Sequence, residues 1–348
     1  MWCFERLWRC KIVFMRIAIV KVSALGDIVH AMVVLQFIKK FNQEISIDWI
    51  VEEQYKGLLE AHPHINKVHL VNFQKAKKKK SIFSLLKDLD KLRHYDLYDL
   101  VIDMQGLIKS AIISKLLPSK QIIGFDKFSI REKFASNFYN KRLNCSYETN
   151  VILRNLALIE FALGFRVEKK QIYNKEPFIY SNLKELDFIS TKSKKNILII
   201  PGASQLSKRY PAESFAKLVN LLDANFYIVW ASNDEELLAQ EIKKLAPNVV
   251  ICPKLSIDKL SLLISKLDLV IGPDTGPTHI AWALNIPSIT LFGSTPGYRN
   301  TFQTEFNIII ESDSNVNPNQ IDKNDYSIRN IEVEDILVKS RELLMMEN

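Results

Sequence analysis

Cysteine is sparse in this chain, with four among 348 residues. Cys3, Cys10, Cys145 and Cys252 show no C-x-x-C spacing, which excludes a disulfide framework and a cysteine zinc site. A reducing cytoplasm is the simplest compartment for such a chain. No apolar run reaches the roughly 18 to 20 residues that cross a bilayer, so no transmembrane helix is expected. The G-x-G-x-x-G fingerprint is absent, which removes the standard dinucleotide site. No helix carries a dense basic stripe and no nucleic-acid motif is present, so nucleic acid is not expected as a partner. Acidic residues are the minority, 39 against 47 Lys and Arg, for a net charge of +8. That balance points to an anionic partner such as an anionic lipid or a phosphorylated substrate.

What remains is ordinary globular composition, 47% hydrophobic and 25% charged, with length for two domains of about 150 residues each. Residues 1–14 mix charge into the apolar positions and lack a signal-peptide core. Met15 then opens a strong strand, Arg16-Ile17-Ala18-Ile19-Val20. We expect the native chain to begin at Met15, with residues 1–14 a leader; a basic-aromatic membrane-surface segment is the alternative.

The stretch Gly272-Pro273-Asp274-Thr275-Gly276-Pro277-Thr278-His279 organises the sequence. A short apolar strand precedes it and a helix follows, so the loop offers free backbone N–H groups and a positive helix end to an anion. Thr275, Thr278 and His279 add donors. The plainer alternative is a helix capped by Asp274 or Thr275 with a surface histidine.

The same strand–loop–helix pattern recurs along the chain. The first strand ends in Lys21-Val22-Ser23-Ala24-Leu25-Gly26-Asp27, before a helix expected over 28–41. Asp27 is either its N-cap or a carboxylate at the sheet edge where such folds bind ligands. Further strands are expected over 46–51, 67–71, 97–102 and 121–124, with helices over 54–61, 82–93 and 149–163. Asp103-Met104-Gln105-Gly106-Leu107-Ile108-Lys109-Ser110 forms a second loop at the same edge. Lys75 and the run Lys77-Lys78-Lys79-Lys80 read as a solvated loop or a basic arm, and Arg131 sits in another basic segment. Residues 166–195 read as an interdomain connection with one helix over 183–189. A second series starts at 196–200, and its first loop carries Ser204, Gln205 and Lys208. Asp234-Glu235-Glu236 then cap a helix or meet ribose hydroxyls. Strands over 249–252, 267–271 and 288–293 and a final helix over 333–346 complete the pattern.

The pairing of Val-Ser-Ala-Leu-Gly-Asp-Ile-Val-His at 22–30 with Asp-Thr-Gly-Pro-Thr-His at 274–279 resembles the bacterial lipopolysaccharide heptosyltransferases. The stretch at 103–110 and residues 131–139 look like the type I branch, and the resemblance runs from Met15 to the end. It implies an α/β GT-B fold, two Rossmann-like domains with a cleft between them: an acceptor-binding domain over 15–180, an ADP-heptose-binding domain over 190–330 and a C-terminal helix over 331–348. It also implies an inverting transfer of L-glycero-D-manno-heptose from ADP-heptose to the Kdo sugar of Kdo-lipid A, with no metal and no cofactor. Asp27 would be the general base and Lys208 the cation at the leaving phosphate. Ser204, Gln205, Glu235, Asp274, Thr275, Gly276 and His279 would join Lys208 around the donor, with Asp274 orienting the loop or His279. Glu236 is the alternative to Glu235 at the ribose. Lys77, Lys78, Lys79, Lys80, Asp103, Gln105 and Arg131 would meet the acceptor's carboxylates and phosphates. The enzyme would act in the cytoplasm with transient contact to the inner membrane. A type II enzyme acting on heptose and a non-catalytic nucleotide-sugar-binding protein are the alternatives.

Overall fold

Apolar runs too short for helices and too continuous for half-exposed strands become the centres of two parallel sheets. A computed structural model of the chain describes residues 14–73, 89–189 and 194–346. The first series runs β1 (Met15–Val20), α1 (Leu25–Met32), α2 (Val34–Phe41), β2 (Ile45–Glu52), β3 (Lys67–Val71), β4 (Tyr98–Asp103), α3 (Ile108–Leu116), β5 (Ser119–Phe125), β6 (Lys141–Leu143), α4 (Val151–Leu163) and α5 (Lys169–Tyr173). The second runs β7 (Asn196–Ile199), α6 (Ala212–Leu221), β8 (Asn225–Ile228), α7 (Asn233–Leu245), β9 (Val250–Ile251), α8 (Ile257–Ile264), β10 (Leu269–Pro273), α9 (Gly276–Ala283), β11 (Ser288–Phe292), α10 (Gly297–Asn300), β12 (Asn307–Glu311) and α11 (Val333–Met345).

The sheets are ordered β3-β2-β1-β4-β5-β6 and β12-β11-β10-β7-β8-β9. Read from its own first strand, each has the 3-2-1-4-5-6 order of a doubly wound nucleotide-binding domain. The order reverses between β1 and β4 in one sheet and between β7 and β10 in the other. Loops leaving those strands diverge there and open a crevice at the carboxyl edge. In β1, Ile17, Ala18, Ile19 and Val20 are fully buried. Below them, the buried Asp48 accepts from Tyr98 Oη at 2.7 Å, Arg16 Nη2 at 2.8 Å and Asn66 Nδ2 at 2.8 Å. These bonds tie β1, β2 and β4 together at the end away from the crevice.

The domains share apolar packing through α1 and α9. Ile280, Ala281, Trp282 and Ala283 of α9 belong to one core cluster with Ile28, Val29 and Met32 of α1. Helix α4 has Asn150 as N-cap, accepting from Ile152 N, and ends at Gly164 in the left-handed region at φ 77°, where the missing Cβ removes the steric cost. Helix α11 packs on the second domain, against α6, β10 and β11.

Several local expectations change. The helix expected over 28–41 begins at Leu25 and breaks at Val33. Asp27 is therefore the third helical residue rather than the N-cap. The segment expected as a helix over 54–61 is a short 3-10 turn, Glu53–Leu58. Residues 183–189 are not helical; Leu186, Phe188 and Ile189 lie half-buried on the core instead, so packing overrides a weak helical preference. Strands β6 and β12 were not anticipated. The expected helix at 82–93 falls largely outside the described residues, as do Lys75 and Lys77 to Lys80.

After α5 the chain crosses to the second domain, and Phe178 N donates to Ala283 O at 3.2 Å. Buried Lys175 donates to Trp282 O at 2.6 Å and to Asn285 Oδ1, with its ammonium 4.5 Å from the Trp282 ring centroid. Burial pushes this lysine down to about 7 from 10.5. Between those values the unfolded chain holds the extra proton, so stability should rise with pH across that window. Replacing Lys175 with Met should flatten the rise, as measured by urea denaturation at pH 7 and pH 10.

Candidate active site at the domain junction

Loops from both switch points line a single cavity of about 930 Å³ between the domains. On the second domain it begins where β10 ends. Thr275 N-caps α9, with Thr278 Oγ1 accepting from Thr275 N at 3.3 Å and donating to Pro273 O at 3.0 Å. Pro277 fits the first helical turn, where its missing N–H costs nothing. A Cβ on Gly276 would come within 2.4 Å of Leu25 Cδ2. Only glycine lets this turn sit so close to α1.

Asp274 is the hub of this corner. Its Oδ2 accepts from Lys208 Nζ at 2.6 Å, Thr295 Oγ1 at 2.9 Å and Asn300 Nδ2 at 3.1 Å. Its Oδ1 lies 3.0 Å from His279 Nε2. Burial pushes this carboxyl up, but the Lys208 charge and His279 outweigh it and hold it well below the usual carboxylate range. His279 is buried rather than a surface residue, and its ring lies 4.2 Å from that of His30. Burial, followed by the adjacent His279, lowers His30 well below its ordinary value, which keeps it neutral. His279 Nδ1 and His30 Nε2 are buried without hydrogen-bond partners among the described residues.

Farther along the wall, Glu235 Oε2 accepts from Ala231 N at 2.7 Å and Ser232 N at 3.3 Å, completing a capping box at α7. A Cβ on Gly202 would fall 2.4 Å from Glu235 Cδ, so that glycine makes room for the side chain. Glu235, Ser204, Gln205, Val229 and Trp230 line the cavity, whereas Glu236 does not. Gln205 Oε1 is buried without a partner among the described residues.

The first domain contributes Asp27, 47% exposed at its side chain and on the cavity wall. Its Oδ2 accepts from Ala24 N at 3.3 Å and its Oδ1 lies 3.9 Å from Lys21 Nζ. Lys21 is buried and donates to Met104 O at 3.1 Å. Burial lowers its pKa, against the pull of Asp27 and Asp103. A Cβ on Gly26 would meet the His279 ring at 2.6 Å, so the residue beside Asp27 rests on the ring that partners Asp274.

Asp103 and Gln105 stand behind the wall. The fully buried Asp103 accepts from Gln105 N at 2.8 Å, Gly106 N at 3.1 Å and Tyr139 Oη at 2.8 Å. Gln105 Oε1 accepts from Val22 N and Ser23 N, both at 3.1 Å. Asp103 thus fixes its own 105–106 turn, Gln105 fixes the segment leading into α1 and Asp27, and neither residue lines the cavity. Arg131 does line the cavity. Sequence reasoning missed His30, Tyr147, Thr295, Arg299 and Asn300, which line the cavity, and Lys21, which stands behind Asp27. Gly293-Ser294-Thr295-Pro296-Gly297, following an apolar strand, was the available signal for the loop that carries Thr295 and leads into α10 with Arg299 and Asn300.

Asp274→Asn should leave the Lys208 ammonium buried without its counter-charge, at a cost of about 3 kcal/mol in chemical denaturation at pH 7. The folded carboxyl titrates below 3.8. The wild-type advantage should therefore stay level above that pH and shrink as the pH falls through it.

The profile of Glycosyltransferase family 9 (heptosyltransferase) matches residues 85–325. Lipopolysaccharide heptosyltransferase 1 of Campylobacter coli is 42% identical, over 94% of this chain and 99% of its own. Its counterpart in Escherichia coli K12 is 28% identical, over 81% and 89%. The E. coli heptosyltransferase WaaC with ADP superposes with a TM-score of 0.77 at 23% identity, over 94% of this chain and 100% of its own. E. coli ADP-heptose lps heptosyltransferase II gives 0.69 at 17%, over 95% and 99%. The paired doubly wound domains are thus a GT-B fold, and the chain belongs to the lipopolysaccharide heptosyltransferases of glycosyltransferase family 9.

Proposed function

We propose that this glycosyltransferase moves L-glycero-D-manno-heptose from ADP-heptose to the Kdo sugar of Kdo-lipid A, with inversion and without a metal. The observation that carries the reading is the contact of Gly26 with the His279 ring. It sets a half-exposed carboxylate, Asp27, beside the anion-binding first turn of α9 within one cavity. The type I acceptor is further supported by the 42% identity to the Campylobacter coli heptosyltransferase 1.

In this mechanism Asp27 takes the proton of the acceptor hydroxyl as its oxygen attacks the anomeric carbon. The anomeric carbon–oxygen bond to the diphosphate breaks on the opposite face, and the negative charge moves to ADP. Lys208, the Thr275 hydroxyl and the N–H groups that open α9 receive that charge. Asp274 acts on Lys208 and His279, holding both in register for the phosphates. Glu235 meets the ribose, with the adenine against Val229 and Trp230. Ser204 and Gln205 add polar contacts, and Arg131 meets the acceptor. Lys21 Nζ stands 3.9 Å from Asp27 Oδ1 and holds that side chain in place at the cavity wall. Asp103 and Gln105 act indirectly, Asp103 by fixing the 105–106 turn and Gln105 by fixing the Val22–Ser23 segment.

The acceptor's lipid implies transient contact with the cytoplasmic face of the inner membrane. Phe128 and Phe134, 71% and 62% exposed, flank Arg131 in sequence and offer apolar surface for such contact. Among the described residues no helix is long and apolar enough to cross a membrane.

ADP release from ADP-heptose with de-acylated Kdo-lipid A in EDTA tests the reading. Wild type should transfer heptose, and Asp27→Ala should fall about a hundredfold or more in kcat. Transfer only to an already heptosylated acceptor would move the chain to the type II branch. Full activity in the variant would return Asp27 to a helix-capping role.

A further inference from the structure

Three guanidinium groups surround one tyrosine at the mouth of the cleft. The centroid of the Tyr147 ring lies 4.1 Å from Arg299 Cζ, 5.5 Å from Arg154 Cζ and 6.0 Å from Arg131 Cζ. Arg131 and Arg154 come from the first domain, Arg299 from the second. No carboxylate forms an ion pair with any of them among the described residues. The acids of this corner are engaged elsewhere. Glu132 accepts from Ile108 N at 2.6 Å, Glu148 from Asn319 Nδ2 at 3.0 Å, and Asp126 from Ser129 and Asn144.

The three arginines are not equivalent. Arg154 is buried, its fork filled by the carbonyls of Ser129, Cys145 and Ser146. Burial lowers its pKa, and the nearby Arg299 charge lowers it further. Arg299 donates from Nε to Tyr147 O at 2.8 Å and from Nη1 to Asn300 Oδ1 at 3.0 Å, leaving Nη2 open. Arg131 makes no hydrogen bond among the described residues. Arg131, Tyr147 and Arg299 all line the cavity. Like charges gathered this closely with open donors favour an anion between them.

We propose that Arg299 and Arg131, one from each domain, form a carboxylate subsite on Tyr147 that holds the acid group of the acceptor sugar. The new element is the second-domain arginine. The acceptor carboxylate then touches both domains at a junction that Arg299 already spans through its bond to Tyr147 O. Asn300, next to Arg299 in α10, donates to Asp274 at 3.1 Å, so the same short helix touches the Lys208 corner. The subsite rests on the Kdo-acceptor reading above.

The experiment compares wild type, Arg299→Met and Arg299→Lys using de-acylated Kdo-lipid A and the same acceptor with its Kdo carboxylate reduced to the alcohol. Arg299→Met should raise the acceptor KM about tenfold or more, with kcat and ADP-heptose Kd within about twofold. Arg299→Lys should recover part of the loss. With the reduced acceptor the three proteins should converge, because wild type has no carboxylate left to hold. A gap that persists undiminished with the reduced acceptor would make Arg299 an interdomain strut and overturn the subsite. A rise in ADP-heptose Kd with an unchanged acceptor KM would assign the cation to the diphosphate and overturn it equally. Failure of the Kdo reading is separable, since wild type itself would then not transfer to the Kdo acceptor.

Discussion

The close approach of two helix starts is the constraint on which the site depends. Gly26 and Gly276 lack the carbon that would collide with His279 and Leu25 respectively, so α1 and α9 meet turn against turn. Each helix follows the switch-point strand of its own sheet, and each presents its positive end to the same cavity. The apolar face of α9 continues into the first-domain core. That packing holds the two domains at a spacing where a carboxylate on one can serve a phosphate on the other.

Around this contact the charges are unevenly matched. Lys208 has its counter-ion in Asp274 and is buried with it, side chains 14% and 7% exposed. A buried pair of this kind holds geometry more than it adds stability. Lys21 has a weaker partner, 3.9 Å from Asp27, and Arg131 and Arg299 have none among the described residues. Both Arg154 and Arg299 contribute to lowering Lys21. The arginines without a counter-ion among the described residues, Arg131 and Arg299, therefore leave net positive charge on the cavity wall. A low-dielectric cleft focuses such a field, concentrating anionic substrates and orienting them before chemistry.

The legible part of this protein was whatever is written in contiguous residues. The strand centres, the strand–loop–helix order and the two loops at 21–27 and 272–279 are short-range patterns, and the expected strands match the observed ones to within a few residues. Asp27, Lys208, Glu235, Asp274 and His279 stand at loop ends that such patterns mark. The helix expected at 183–189 failed because its apolar residues answer to the core across the domain junction rather than to their neighbours. Asp103 and Gln105 illustrate a different limit. A polar pair at a strand end reads as a binding site, but only the fold reveals that backbone N–H groups and Tyr139 already occupy it.

The sequence by itself determined two doubly wound domains, a basic balance and the loops that bear the candidate chemistry, because hydrophobic period and turn residues act over a few positions. Only the tertiary structure decided which of those loops face each other. It chose Glu235 over Glu236 for the cavity wall, since one side of a helix turn points inward. It also gathered Tyr147, Arg131 and Arg299 across more than 150 residues of chain, roughly the length of a domain. Such distant groups meet through the packing of two cores, and no local pattern encodes that meeting.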